Sequence, residues 1–304
     1  MKLCDADNQP VMMPLSSRTI PIRKHVAAVL ITSLFMLTSC SSNVDSHKPG
    51  SHGGLDDEAS RHEAARQDAV QLRSRLHRYM SNHQWLARSR EWDILEQGAA
   101  TSASEMRLFY TRRIVFKSQR ASGTDQAEPD YWNREHLWPR SYGLKGSPAD
   151  RDLHNLVPAD RTVNSSRGNK MFATAAMPHR ECVLCRVSKQ AWEPPDEIKG
   201  DIARALFYMD VRYEGETGLP ADNGLPDLVL AEHADPARKQ MGSLHTLLQW
   251  NCQDPVSAEE RRRHEVVVAF QGNRNVFVDD PSLAAIVYQY NCPSSPLSIG
   301  MQFD

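Results

Sequence analysis

From residue 55 onward, helical and strand-like hydrophobic periodicities alternate along this chain, with no internal repeat and no linker between them. That pattern constrains the fold to one α+β domain of mixed helices and a short sheet. Leu72, Leu76, Tyr79 and Met80 recur at helical spacing, and Trp85 and Trp92 continue the apolar positions. One helical stretch is therefore expected from about Leu55 to Gln97. Met106 to Phe116 is rich in aromatic and β-branched residues and reads as a strand. Residues 118–130 read as a loop. Pro194-Pro195 precede a predicted helix over 196–213, with Ile198, Ile202, Leu206 and Met209 on one face. A Gly/Pro-rich loop over 214–228 leads to two further helices, His245 to Trp250 and 257–271. The second opens on Ser257-x-x-Glu260, a capping box. Composition is ordinary for a globular chain of 304 residues, 40% hydrophobic and 24% charged.

The N-terminus reads as targeting rather than fold. Arg23-Lys24 precede an apolar run from Val26 to Leu37, which suits a signal segment and is short for a membrane span. The run ends in Leu37-Thr38-Ser39-Cys40, which looks like a bacterial lipobox. In that reading residues 1–39 are removed and Cys40 is lipidated. The expected location is then the periplasm or outer membrane, with plain secretion as the alternative. Residues 40–54 form a polar tether, and 55–304 form a single domain. Export puts Cys182, Cys185, Cys252 and Cys292 in an oxidising compartment, so disulfides are expected. Four cysteines allow three pairings, and Cys182–Cys185 with Cys252–Cys292 is preferred over the crossed ones. His179-x-x-Cys182-x-x-Cys185 lacks a fourth zinc ligand, so a structural disulfide is the better reading.

The chain carries a formal charge of −2, and removing its cationic leader leaves it near −4. A net acidic protein is not a bulk binder of nucleic acid. The stretch from 134 to 170 is different. It holds seven cations (Arg134, Arg140, Lys145, Arg151, Arg161, Arg167, Lys170) against four acids (Glu135, Asp150, Asp152, Asp160). Such a local excess is the footprint expected where phosphates dock. Within it lie Asn133-Arg134-Glu135-His136, Asp152-Leu153-His154-Asn155 and Asn164-Ser165-Ser166-Arg167-Gly168-Asn169. Hydrolysing a phosphodiester needs a base for water, a cation on the scissile oxygens and help for the leaving alkoxide. Imidazole ionises near neutrality, which suits His136 as the base. Carboxylate oxygen is a preferred Mg²⁺ ligand, which suits Glu135. Adjacent strand residues point to opposite sides, so the pair can share one site only where a strand bends or ends. The charge run Glu259–Glu265 reads as a solvated helix face.

Together these three motifs resemble the bacterial endonuclease I family, of the ββα-metal (His-Me finger) class. The likeness extends to Trp192-Glu193-Pro194-Pro195, Lys199-Gly200-Asp201-Ile202-Ala203-Arg204, Trp250-Asn251 and Gln271-Gly272-Asn273-Arg274-Asn275, and covers roughly residues 70–290. The resemblance implies His136 as general base, with Glu135 and Asn164 as ligands of one Mg²⁺ or another divalent ion. Asp152, His154 and Asn155 would lie on the supporting second strand. Arg134, Arg140, Arg151 and Arg167 are the candidates for binding phosphate. The implied activity is endonucleolytic hydrolysis of DNA by a monomer, with RNA left open as a further substrate, little sequence preference, and products ending in 5′-phosphate. Contact with a membrane would be through the lipid at Cys40 alone. Two other readings are a non-catalytic nucleic-acid-binding surface lipoprotein and a phosphodiesterase of small substrates.

Overall fold

In place of one helical stretch, the chain has two helices, α1 (Gly54–Met80) and α2 (Arg90–Gly98), joined by a non-helical segment. The computed structural model describes residues 54–121, 130–215 and 225–293. The leader over 1–39, Cys40, the tether up to residue 53 and parts of the two expected loops (122–129 and 216–224) lie outside them. No glycine or proline marks the break after Met80; one local and two tertiary bonds make it. Ser81 Oγ donates to the His77 carbonyl, Asn273 Nδ2 to the Met80 carbonyl and the Gln84 amide to the Gln271 carbonyl, each at 2.7 Å. Backbone groups at the helix end thus find partners elsewhere.

The expected strand over 106–116 is a hairpin of β1 (Glu105–Arg107) and β2 (Ile114–Phe116), paired antiparallel. Its apolar centre, Leu108-Phe109-Tyr110, is buried in the core, and Arg112 turns the chain at a φ of 59°. The hydrophobicity there reflects burial rather than strand pairing. Next come β3 (Trp132–His136), β4 (Leu156–Asp160) and α3 (Arg161–Arg167). β3 and β4 pair antiparallel, with Trp132 opposite Asp160 and His136 opposite Leu156, so the three elements make a ββα unit.

Four short strands follow: β5 (Met171–Phe172), β6 (Met177–Pro178), β7 (Arg186–Val187) and β8 (Ala191–Glu193), in sheet order β5-β8-β7-β6. Then come α4 (Lys199–Arg212), a parallel pair of β9 (Val229–Leu230) and β10 (Gln240–Met241), and the helices α5 (Leu244–Gln253), α6 (Ala258–Gln271), α7 (Val276–Asp279) and α8 (Leu283–Val287). Disulfides join Cys182 to Cys185 and Cys252 to Cys292. Among the described residues no helix is long and apolar enough to cross a membrane.

Helix α4 is the axis of the fold, buried on every side from Gly200 to Arg212. A Cβ on Gly200 would lie 2.2 Å from the Asp254 carbonyl oxygen, so only glycine lets α4 meet the end of α5 this closely. The larger apolar cluster surrounds α4 and includes Trp138, Phe172, Trp192, Trp250 and Phe277. A second lies beneath α2 and α6 and holds Ile94, Leu95, Met106, Trp132, Leu156 and Val267. The β3–β4 ladder runs between them, sending Leu156 to one and Val157 and Ala159 to the other. That explains why every β4 residue is buried.

The Asp152-Leu153-His154-Asn155 stretch is not on the second strand. Leu153–Asn155 form a single 3₁₀ turn that feeds β4. Side-chain bonds shape the turn. Asp152 accepts from Tyr208 Oη at 2.8 Å, Tyr213 Oη at 2.7 Å, Gln271 Nε2 at 2.9 Å and the His154 amide at 3.0 Å. Asn155 accepts from the Trp138 amide at 2.7 Å and donates to its carbonyl at 3.1 Å. A strand would separate these partners, whereas the turn ties the ββα unit to α4 and α6.

The charge run on α6 is only partly a solvated face, because Glu260 and His264 are buried. Ser257 Oγ accepts the Glu260 amide at 3.0 Å, as a capping box requires. The Glu260 carboxylate instead meets Arg204 of α4, at 2.9 and 2.6 Å. Arg204 is fully buried and also donates to the Asp254 carbonyl at 2.8 Å. Arg204→Ala should leave buried acids unpaired and lower stability by about 3–5 kcal/mol, measured by urea unfolding. A loss below about 1 kcal/mol would contradict this account of the core.

Burial lowers the His154 imidazole to about 4, against the pull of Asp152. Its neutral form is the native one, so the stability it contributes is complete above the ordinary histidine value near 6.5 and declines as pH falls toward 4. The decline should reach about 1.5 kcal/mol between pH 6.5 and pH 5. His154→Asn should flatten the unfolding free energy across that window. Equal slopes in parent and variant would contradict the neutral ring.

Candidate functional site

Strand β3 ends at His136, and at that end a cleft of about 780 Å³ opens. Glu135 and His136 both line it, as do Arg88, Trp92, Asn133, Arg134, Arg140, Asn164 and Asn169. The strand terminus lets neighbouring side chains share one space. Helix α3 docks on β3 through Asn164, whose Nδ2 donates to Asn133 Oδ1 at 2.8 Å and to the Arg134 carbonyl at 3.3 Å. Both bonds run from the amide nitrogen, so the amide oxygen is the atom left for a ligand. Gly168, at a φ of 61°, stops α3 and brings Asn169 to the cleft.

Glu135 is buried. Its Oε1 accepts from Tyr110 Oη at 2.8 Å and from Arg167 Nη1 at 3.1 Å. Burial pushes its carboxyl above the ordinary range, opposed by Arg167 and Tyr110. Arg167, expected as a phosphate binder, is fully buried and cannot reach a substrate. Its guanidinium lies 4.3 Å from the Phe172 ring centre and donates to the carbonyls of His136, at 2.9 Å, and Leu137, at 2.6 Å. Arg151 is also absent from the cleft lining and donates to the Leu86 carbonyl at 3.2 Å. Arg134 does line the cleft, but it is paired with buried Glu91 and lies over Trp92, 4.8 Å from the ring centre.

His136 Nε2 is 2.9 Å from the Asp150 carbonyl and 3.1 Å from Asp150 Oδ1. A carbonyl only accepts, so Nε2 carries the proton of the neutral ring and Nδ1 is its basic nitrogen. The same carboxylate accepts from Arg140, at 2.5 and 2.7 Å, and from Arg88 at 2.9 Å. Despite burial, the bonds from His136, Arg140 and Arg88 hold the Asp150 carboxyl well below its usual value. His154 lies apart from the cleft, bonded through Nε2 to the Asn273 carbonyl at 3.1 Å, and Asp152 and Asn155 brace the turn before β4.

The fold also brings to the site Tyr110, Arg88, Trp92 and the tie from Asp150 to His136, none of them evident in the sequence. The first three come from segments that read only as strand or helix, and no local pattern marks them. His179 is no metal ligand: its ring accepts the Cys182 amide at 2.9 Å and pairs with Ser166 Oγ of α3 at 2.8 Å. Another grouping of ligand-type atoms is His264, Glu265 and Asp279. The Arg274 guanidinium already bonds both of its carboxylates at 2.6 Å, so a cationic group occupies that position.

The sequence profile of the Endonuclease I family matches residues 68–282. An extracellular ribonuclease of Bacillus amyloliquefaciens is 39% identical over 228 residues, 73% of this chain and 75% of the relative. An extracellular ribonuclease of Bacillus subtilis (strain 168) is 38% identical over 219 residues, 70% of this chain and 72% of the relative. An extracellular deoxyribonuclease of Aeromonas hydrophila is 30% identical over 133 residues, 42% of this chain and 49% of the relative. The matched profile spans both strands and the helix of the ββα unit and all of the cleft residues, and this chain belongs to the endonuclease I family of nucleases.

Proposed function

We propose that this protein is an exported, divalent-metal-dependent endonuclease that hydrolyses the phosphodiester bonds of RNA and DNA with little sequence preference. The observation that carries the reading is the cleft at the end of β3. There an imidazole with a defined tautomer, a carboxylate and an amide oxygen meet among arginines. His136 Nδ1 takes the proton of the attacking water, while the Asp150 carbonyl holds Nε2–H and so fixes the ring's orientation. Glu135 and Asn164 offer oxygen ligands of the kind Mg²⁺ prefers, and two protein ligands suit an ion that keeps several waters. A bound divalent ion would supply Lewis-acid polarisation of the scissile phosphate and stabilise the departing alkoxide. Tyr110 and Arg167 hold the Glu135 carboxylate in place.

Attack by water makes no use of the ribose 2′-hydroxyl, so one site serves both polymers. The ribonuclease and deoxyribonuclease names of the relatives support that breadth, and their extracellular designation supports export. In this reading residues 1–39 direct export, Cys40 carries the lipid, the stretch up to residue 54 is a tether and 55–304 form one monomeric nuclease domain.

His136→Ala should lower the turnover of RNA and plasmid DNA by about 10²–10⁴-fold without changing thermal unfolding. Activity near that of the parent would overturn the assignment of the base. RNA fragments should carry 5′-phosphate and 3′-hydroxyl ends, read by mass spectrometry. Ends in 2′,3′-cyclic phosphate would mean attack by the 2′-hydroxyl and would contradict the mechanism. EDTA should abolish cleavage, and Glu135→Gln should raise the Mg²⁺ concentration needed for half-maximal activity. An unchanged Mg²⁺ requirement in that variant would remove Glu135 from the ligand set.

A further inference from the structure

We propose that Arg88, from the segment joining α1 to α2 and outside the ββα unit, binds a substrate phosphate beside His136. The inference rests on the nuclease reading above. Among the described residues three arginines line the cleft, Arg88, Arg134 and Arg140, and their existing bonds rank them. Arg134 is the least available: its side chain is 19% exposed, paired one-to-one with Glu91 and laid over Trp92. Arg88 and Arg140 are 48% and 44% exposed and share a single carboxylate, Asp150, which is 3% exposed. Two guanidinium groups against one carboxylate leave a net positive charge at the cleft wall.

The two differ in how fully they are engaged. Arg140 grips Asp150 with Nε and Nη2, using both oxygens. Arg88 makes one bond, from Nη2 to Oδ2, so Nε and Nη1 remain as donors among the described residues. The other oxygen, Oδ1, is taken by Arg140 and His136. Arg88 is therefore the least committed cation in the cleft, held one carboxylate's width from the imidazole. An anionic phosphodiester oxygen suits the free part of its fork. The supporting segment is anchored at both ends of its approach: the Gln84 amide bonds the Gln271 carbonyl, and Arg151 bonds the Leu86 carbonyl two residues before Arg88. Arg151 thus acts on phosphate binding through the backbone that carries Arg88.

The test uses the full mature chain carrying His136→Ala, so that substrate is bound without being cut. Binding of a fluorescein-labelled single-stranded oligodeoxynucleotide is followed by anisotropy across a salt series. Adding Arg88→Ala should weaken binding about tenfold and reduce the slope of log affinity against log salt by roughly 0.7, the loss of one single-strand phosphate contact. Arg88→Lys should keep the slope. Arg78→Ala, on the exposed face of α1, should change neither quantity. An unchanged slope in Arg88→Ala, whether affinity holds or falls, would mean that Arg88 merely balances Asp150, and would overturn the proposal. Parent-level cleavage by the His136→Ala protein would instead overturn the nuclease mechanism, an outcome read separately from the slope.

Discussion

The arrangement of the site depends on one buried contact, the guanidinium of Arg167 against the carboxylate of Glu135 and the carbonyls of His136 and Leu137. The β3–β4 ladder stops at His136, and a buried strand end leaves backbone acceptors that need partners. Arg167 supplies them from α3. One side chain thereby ends the strand, holds the acidic residue beside the end and fixes the helix that carries Asn164. Tyr110 completes the arrangement, its hydroxyl donating to the same Glu135 oxygen as Arg167 and its backbone lying against the buried Cys182 sulfur.

Ion pairs of this kind are poor sources of net stability, because burying charge offsets most of the attraction gained. Their effect here is geometric. Arg167 with Glu135 sets the strand end, Arg204 with Glu260 sets α4 against α6, and Arg73 with Asp210 sets α1 against α4. Apolar packing around α4 supplies the stabilisation, while the paired charges join α4 to α6 and to α1. Asp150 belongs to the same scheme at the cleft wall. It gathers His136, Arg140 and Arg88 onto one carboxylate and so turns separate surface cations into a single positioned group.

Much of the fold is legible in the sequence because it is local. The periodicity of α4 and α6, the Ser257 cap and the mixed α+β character all depend on residues a few positions apart. The end of α1 does not, because Asn273 and Gln271 make it from the far end of the chain. The hairpin of β1 and β2 was hidden by an apolar run that is buried rather than paired. The motif residues Glu135, His136 and Asn164 are close enough in sequence to be noticed together, and the structure brings them to one cleft. Arg167 reads as a surface cation in sequence, since its burial depends on a carboxylate 32 residues away. Arg88 and Tyr110 carry no local signal at all; only the folded chain places them at the cleft and against Glu135.

The proposed divalent-ion site lies at the end of β3, held by Glu135 and Asn164 beside His136. Anomalous diffraction from crystals soaked in Mn²⁺ tests it most directly. A manganese peak is expected in the cleft within bonding distance of a Glu135 carboxylate oxygen and of Asn164 Oδ1. A fully soaked crystal with no peak there, or with its only peak at His264, Glu265 and Asp279, would contradict it.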